Sequence, residues 1–273
     1  MTPPRSIALL VGVRNDDNLR LMQMVAGALG ERGLRVSEYE PGSPAPDVLL
    51  CLGGDGTMLS VATRAARQGS VLAGINTGHL GFLSACGHAE SSALVQALAE
   101  GAFGVEERAM LQVSQRSEPD FPEPLLALNE VSLMRAQTGK MIDVEVALDG
   151  VLLNRYHADG VLVATPTGST AYSLSAGGPL LWPTAGVMSL TPICPHSLTS
   201  RPVVLPDSVE ITLCPIARRG RAEESIIYSV DGRSAHTISV NDVLTIRRAA
   251  VSLRLLTLPM TDYAARLRAK LGW

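Results

Sequence analysis

The stretch Val48-Leu49-Leu50-Cys51-Leu52-Gly53-Gly54-Asp55-Gly56-Thr57 constrains this chain more than any other. Its five apolar residues have the length of a strand, and Met58 to Arg67 beyond the glycines carries a helical pattern. A strand that ends in a glycine-rich turn and feeds a helix presents backbone N–H groups at the positive end of the helix dipole, where phosphate oxygens are stabilised. Gly53, Gly54, Gly56 and Thr57 are therefore candidate phosphate-loop residues. No Lys follows the glycines, so this is neither a Walker A loop nor the G-x-G-x-x-G dinucleotide fingerprint. The loop carries Asp55 instead. A carboxylate among phosphates is repulsive unless a metal ion or a proton-donating hydroxyl satisfies it. These residues alone leave two readings open: a tight turn whose Asp tolerates unusual backbone angles, or a phosphate loop that also does chemistry.

Around this stretch the sequence alternates strand and helix. Ile7 to Val13 reads as a strand, Leu19 to Leu29 as a helix stopped by Gly30 and Gly33, and Leu34 to Tyr39 as a second strand. A Pro-rich link, Pro41 to Pro46, leads to the strand before the glycines, and Val71 to Ile75 forms another. Such alternation implies a parallel, Rossmann-like sheet, with ligands outside the carboxyl ends of its strands. A second turn, Asn76-Thr77-Gly78-His79-Leu80-Gly81-Phe82, falls at such an end and could form the other wall of a cleft. After a helix at Ala89 to Glu100 the pattern changes to short alternating runs: Val105 to Ser114, Leu125 to Met134, Met141 to Leu148 and Val151 to His157. Asp149-Gly150 between the last two is a hairpin signal. Further strands are expected at Gly160 to Ala164, Pro202 to Leu205, Val209 to Leu213, Ser225 to Val230, Val243 to Arg247 and Val251 to Leu256. A last helix, Tyr263 to Leu271, would be capped by Thr261 or Asp262 and must dock its apolar face, Leu267 and Leu271. The expected organisation is an α/β domain of residues 1–100 plus 258–273 and an all-β, sandwich-like domain of residues 101–257.

Composition narrows the function classes. A formal net charge of -3 provides no basic field for non-specific nucleic-acid binding, so an anionic ligand must be met by local groups. Cys51, Cys86, Cys194 and Cys214 are far apart and fit a reducing cytoplasm better than a disulfide framework or a zinc site. The histidines at 79, 88, 157, 196 and 236 lack metal-ligand spacing. No apolar run reaches membrane-spanning length and the N-terminus lacks a signal-peptide pattern, so a soluble intracellular protein is expected.

One segment departs from the β-rich texture. From Asp159 to Pro179 a strand runs into a turn dense with small hydroxyls and glycines. Small residues let a backbone approach a ligand, hydroxyls serve sugar or phosphate, and Tyr172 could lie against a flat base. A Ser/Thr-rich capping loop is the alternative. Asn129-Glu130 could clasp a ribose diol, or could be a solvent-facing pair.

Taken together, Gly-Gly-Asp-Gly-Thr (53 to 57), Asn-Thr-Gly-His-Leu-Gly-Phe-Leu (76 to 83), Asn-Glu (129, 130), Ala-Asp-Gly followed by Thr-Pro-Thr-Gly-Ser-Thr-Ala-Tyr-Ser (158 to 173) and Ser-Val-Asp-Gly-Arg (229 to 233) resemble the bacterial-type NAD kinases. The resemblance implies transfer of the γ-phosphoryl group of ATP to the 2′-hydroxyl of the adenosine ribose of NAD, with Mg²⁺ carried mainly on ATP. It implies an N-terminal α/β domain, a C-terminal β-sandwich-like domain and a final helix that returns to the first. It makes Asp55 the general base and Asn129 and Glu130 the holders of the sugar hydroxyls. Gly56, Phe82, Asp159, Thr167 and the run Thr170, Ala171, Tyr172, Ser173, Leu174 and Ser175 would frame NAD, with Lys140 and His157 beside its phosphates. At His157 the family often has Lys or Arg, so a phosphate contact there would depend on pH, given an ordinary His pKa of about 6.5. At Arg233 the family often has Gln, and a solvated strand end competes with a phosphate contact. The resemblance also implies a homodimer or homotetramer. NAD and NADH as acceptors, and ATP and polyphosphate as donors, are all compatible with these residues. The competing functions are a lipid kinase sharing the Gly-Gly-Asp-Gly-Thr loop, for which the hydroxyl-rich stretch is a poor acyl-chain entrance, and a non-catalytic NAD(P)-sensing module, against which the presence of Asp55 speaks.

Overall fold

In the computed structural model, which describes residues 2–78, 81–117, 124–137, 141–217, 225–260 and 262–273, the chain begins with the expected alternation. The elements are β1 (Ser6–Val11), α1 (Asp16–Gly30), β2 (Arg35–Glu38), β3 (Val48–Leu52), α2 (Asp55–Gln68), β4 (Val71–Asn76), the two-residue β5 (Cys86–Gly87), α3 (Ser91–Glu100) and β6 (Gly104–Arg108). Helix α1 starts where the Asn15 side chain accepts the Asn18 N–H at 2.8 Å, with Asp16 and Asp17 in the first turn facing the positive end of the dipole. Helix α2 starts three residues before the apolar pattern predicts. Gly54 is its N-cap and accepts the N–H of Thr57 and of Met58, so Asp55 is the first helical residue instead of part of a preceding loop.

Strands β2, β1, β3 and β4 lie side by side in that order and pair in parallel. Chain direction reverses between β1 and β3: one crossover runs outward to β2, the other outward to β4. Right-handed crossovers then put the two helices on opposite faces and open a crevice at the carboxyl ends of β1 and β3. The Gly53 turn stands at that switch point. Every residue of β3 is buried, and the core gathers Ile7, Leu9, Leu50, Leu52, Ala73 and Ile75 with Leu21, Val25 and Leu29 of α1 and Leu94 and Leu98 of α3. Burial of each larger aliphatic side chain contributes about 1.5–3 kcal/mol.

The next unit, Arg108–Ser252, is all-β apart from short helical turns. Its strands are β7 (Leu111–Gln115), β8 (Leu125–Ala127), β9 (Glu130–Arg135), β10 (Ile142–Leu148), β11 (Val151–Ala158) and β12 (Gly160–Ala164), followed after the short helix α4 (Tyr172–Ser175) by β13 (Val187–Ile193), β14 (Val203–Pro206), β15 (Ile211–Ile216), β16 (Ile226–Val230), β17 (Ser234–Ile238) and β18 (Leu244–Arg248). One sheet has the order β11-β10-β15-β18-β7-β8 and the other β14-β13-β12-β9-β16-β17. Their inward residues share one core: Val113, Val144, Leu213 and Ile246 from the first sheet, Val131, Leu133, Val163, Leu190 and Tyr228 from the second. That alternation is why most of these strands were visible in the sequence.

Three expectations are corrected. The run Val105 to Ser114 is two strands of different sheets, broken at Ala109-Met110, where the Met110 carbonyl accepts the Ala249 N–H. Leu125 to Met134 is likewise two strands, separated at Leu128-Asn129. Strands β13 and β17 lie where no strand is predicted. In β13 the outward Ser189 and Thr191 are fully buried beneath the segment after β12, so both faces are covered and the polar residues hide the pattern.

The chain finally adds β19 (Leu253–Thr257), parallel to β4 and lying between β4 and β6 in the first sheet, and α5 (Tyr263–Leu271). Both belong with Met1–Glu107. Asp262 caps α5 by accepting the Ala264 N–H at 2.9 Å, and the alternative cap Thr261 lies outside the described residues. Leu267 and Leu271 are only half-buried; the buried residue of α5 is Arg266. No helix among the described residues is long and apolar enough to cross a membrane.

Candidate active site

In the first unit the candidate site is built around Asp55. Its Oδ2 accepts the Phe82 N–H at 2.7 Å and its Oδ1 accepts the Leu83 N–H at 3.1 Å. The two glycine-rich turns expected to line a cleft are thus joined through this carboxylate. A Cβ added at Gly81 would overlap the Asp55 carboxylate, so the close approach needs a glycine there. Asn76 opens the second turn by accepting the Gly78 N–H at 2.7 Å; His79 and Leu80 of that turn lie outside the described residues. Behind the turn, Arg266 donates to the Phe82 carbonyl at 3.1 Å and to the Ala85 carbonyl at 3.3 Å, and the Phe82 ring stands 6.0 Å from that of Tyr263. Gly53 is buried, Thr57 and Phe82 are half-buried, and Gly54 and Gly56 are exposed. Two N–H donors fix the orientation of the Asp55 carboxylate and leave each oxygen a further lone pair able to take a hydroxyl proton.

In the second unit three distant motifs converge on the turn between β8 and β9. Asp231 accepts the N–H groups of Leu128 (2.9 Å), Asn129 (2.7 Å) and Glu130 (3.2 Å), and returns its own N–H to the Glu130 carbonyl at 2.9 Å. From the other side, Thr165 donates its N–H to the Asn129 carbonyl at 2.9 Å and its hydroxyl to the Leu128 carbonyl at 2.5 Å. Gly168 packs so closely on Asn129 that a Cβ would overlap the Asn129 carbonyl. The Asn-Glu pair is therefore a clamped turn, not a solvent-facing one: Glu130 is 6% exposed, and its Oε2 has no hydrogen-bond partner. Burial and the nearby Asp231 charge push Glu130 up to about 7, against the N–H that Tyr172 donates to it.

The hydroxyl-rich segment folds as a single 3₁₀ turn (Thr167–Thr170) followed by α4. Tyr172 and Ser175 are exposed and Thr170, Ala171 and Leu174 half-buried. Thr167 is buried within 3.4 Å of the Arg108 guanidinium, and Ser173 is fully buried with its hydroxyl turned to the interior. Asp159 is held in a two-point ion pair by Arg135, at 2.9 Å from both Nε and Nη2. His157 Nδ1 lies 2.7 Å from the Asp143 carboxylate. Lys140 lies outside the described residues, and Arg233 is exposed in the turn after β16. Sequence reasoning assigned no role to Asp231, Arg135 or Arg266. Asp231 was within reach, since Asp-Gly between two strands signals a tight hairpin, and both residues take the left-handed backbone that this turn uses, with φ 52° and 65°. No pattern marks the other two.

Comparison with known proteins matches residues 44–103 to the ATP-NAD kinase N-terminal domain and residues 128–258 to the ATP-NAD kinase C-terminal domain. An NAD kinase of Aromatoleum aromaticum is 38% identical over 270 residues, spanning 98% of this chain and 87% of its own length. The yeast NADH kinase structure, complexed with NADH, superposes with a TM-score of 0.88 at 25% identity, covering 100% of this chain and 88% of that one. The NAD kinase from Archaeoglobus fulgidus in complex with ATP gives 0.78 at 26% identity, covering 98% of each chain.

Proposed function

The chain belongs to the ATP-NAD kinase family, and from that premise we propose how it phosphorylates NAD at the expense of ATP: the γ-phosphoryl group passes to the 2′-hydroxyl of the adenosine ribose with Asp55 as general base. The hydroxyl proton moves to the Asp55 carboxylate, the freed oxygen bonds to the γ-phosphorus, and the bond to the β–γ bridging oxygen breaks, releasing ADP. The single observation that carries this reading is the carboxylate of Asp55, fixed by two backbone N–H groups at the first turn of α2. A base held in one orientation meets the hydroxyl without reorganisation.

Gly53, Gly54, Gly56 and Thr57 take the phosphates at the helix N-terminus. Asn129 and Glu130 hold the sugar hydroxyls, and the exposed ring of Tyr172 lies along the base. Thr167 and Ser173, being buried, support the segment from beneath, while Thr170, Ala171, Leu174 and Ser175 offer the surface that NAD meets. Mg²⁺ enters as the ATP complex, since this ion keeps phosphate and water ligands and needs few from the protein. A homodimer or homotetramer is supported by the edge strand β11, where Val151 and Leu152 are 73% and 53% exposed. The expected location is the cytoplasm.

The test is incubation with NAD, ATP and Mg²⁺ and measurement of NADP. NADP formation is expected; tight NAD binding without NADP would instead favour the sensing module. A lipid kinase is disfavoured by the match to both ATP-NAD kinase domains.

A further inference from the structure

Asp231 lies 101 residues along the chain from Glu130, yet where the paired strands β9 and β16 meet its turn the Asp231 carboxylate accepts the Glu130 N–H and the Glu130 carbonyl accepts the Asp231 N–H. The Asp231 carboxylate serves the backbone of the turn: Oδ2 takes the Leu128 N–H and Oδ1 takes those of Asn129 and Glu130. These are the N–H groups that the break between β8 and β9 leaves outside the sheet ladder, and a buried N–H without an acceptor is costly.

We propose that Asp231 is a positioning residue for NAD: it fixes the Asn129-Glu130 turn through three backbone N–H groups. This rests on the reading of Glu130 as a holder of the sugar hydroxyls. The negative charge of Asp231 adds to the burial that pushes the Glu130 carboxyl upward. Thr165 and Gly168 close the opposite side of the turn. The titratable groups around Glu130 are Asp231 and the adjacent Arg233 from the β16–β17 turn, and Tyr172 from α4, which itself faces Asp159 and Cys194. Burial also pushes Asp231 upward, opposed by its three N–H donors and by Arg233. Glu130 keeps Oε2 unpartnered inside this setting, an acceptor available to a hydroxyl.

The test is Asp231→Asn. In the substrate-free protein, the Glu130 carboxyl resonance, assigned by its loss in Glu130→Gln, should titrate about one unit lower than in the wild type, because a like charge has been removed. In kinetics KM for NAD should rise by about tenfold, more than kcat falls, as one charge-assisted hydrogen bond is lost. An unchanged Glu130 titration with a wild-type KM would overturn the proposal; a loss of thermal stability alone would not reproduce the titration shift. Calorimetry of NAD with Glu130→Gln separates the two claims: unchanged affinity removes Glu130 from the sugar site, while the titration judges Asp231 independently. Should Asp231→Asn not fold, hydrogen exchange of the wild-type amides of Leu128, Asn129 and Glu130 decides. Slow exchange at all three supports the clamp, and free-loop rates overturn it.

Discussion

The backbone N–H of Phe82 donates to Asp55 Oδ2 at 2.7 Å, tying the carboxylate at the start of α2 to the loop that follows β4. The neighbouring Leu83 N–H holds the other oxygen. A side chain that could rotate freely is thereby given one orientation by two backbone N–H groups. The consequences can be tested at the loop, at the helix behind it and at the buried glutamate of the second unit.

Gly81→Ala tests the close approach. Its Cβ would occupy the space of the Asp55 carboxylate, so either the loop or the side chain must shift. The expected result is a loss of at least tenfold in kcat, with a stability cost of about 1–3 kcal/mol in urea denaturation, typical of overpacking. Wild-type turnover would show that the orientation of Asp55 is immaterial.

Arg266→Ala tests the support behind the loop. The guanidinium is 8% exposed and serves the carbonyls of Phe82 and Ala85, which would lose their donor. Each buried acceptor left unpaired costs about 1–3 kcal/mol, so a destabilisation of about 2–4 kcal/mol is expected from the urea midpoint. A change typical of an ordinary surface site, within about 0.5 kcal/mol, would contradict the contact.

Glu130→Gln gives a pH-dependent signature. The folded protein holds Glu130 up at about 7 against an ordinary 4.5, so between these values the native state binds more protons than the unfolded one. Wild-type stability should therefore fall as pH rises through that window. The variant lacks this slope and should gain about 3 kcal/mol on the wild type by pH 8. Denaturation curves at pH 5 and 8 with the same difference between the two proteins would refute the assignment.

How much of this was legible in the sequence depended on whether one physical pattern dominated locally. Val48–Leu52 and Tyr263–Leu271 fall where predicted, because an uninterrupted apolar run and a capped helix each carry their own signal. Val187–Ile193 was invisible, since Ser189 and Thr191 are buried by a covering segment rather than by the sandwich core. The docking of α5 was foreseen through its leucines, but the deepest contact is a guanidinium on two carbonyls, which no apolar pattern announces. At the candidate site, the motifs single out Asp55 and Glu130. Their fixed orientation is not legible there, because Phe82, Leu83 and Asp231 act on them through backbone groups brought together only by the fold.

The most direct test of the central claim is single-turnover NADP formation by Asp55→Asn, with NAD affinity measured on the same sample by calorimetry. Asn keeps the shape of the side chain but cannot accept the hydroxyl proton. The account predicts a rate lower by at least ~10²–10⁴-fold with NAD binding retained. Near-normal turnover would contradict Asp55 as the general base.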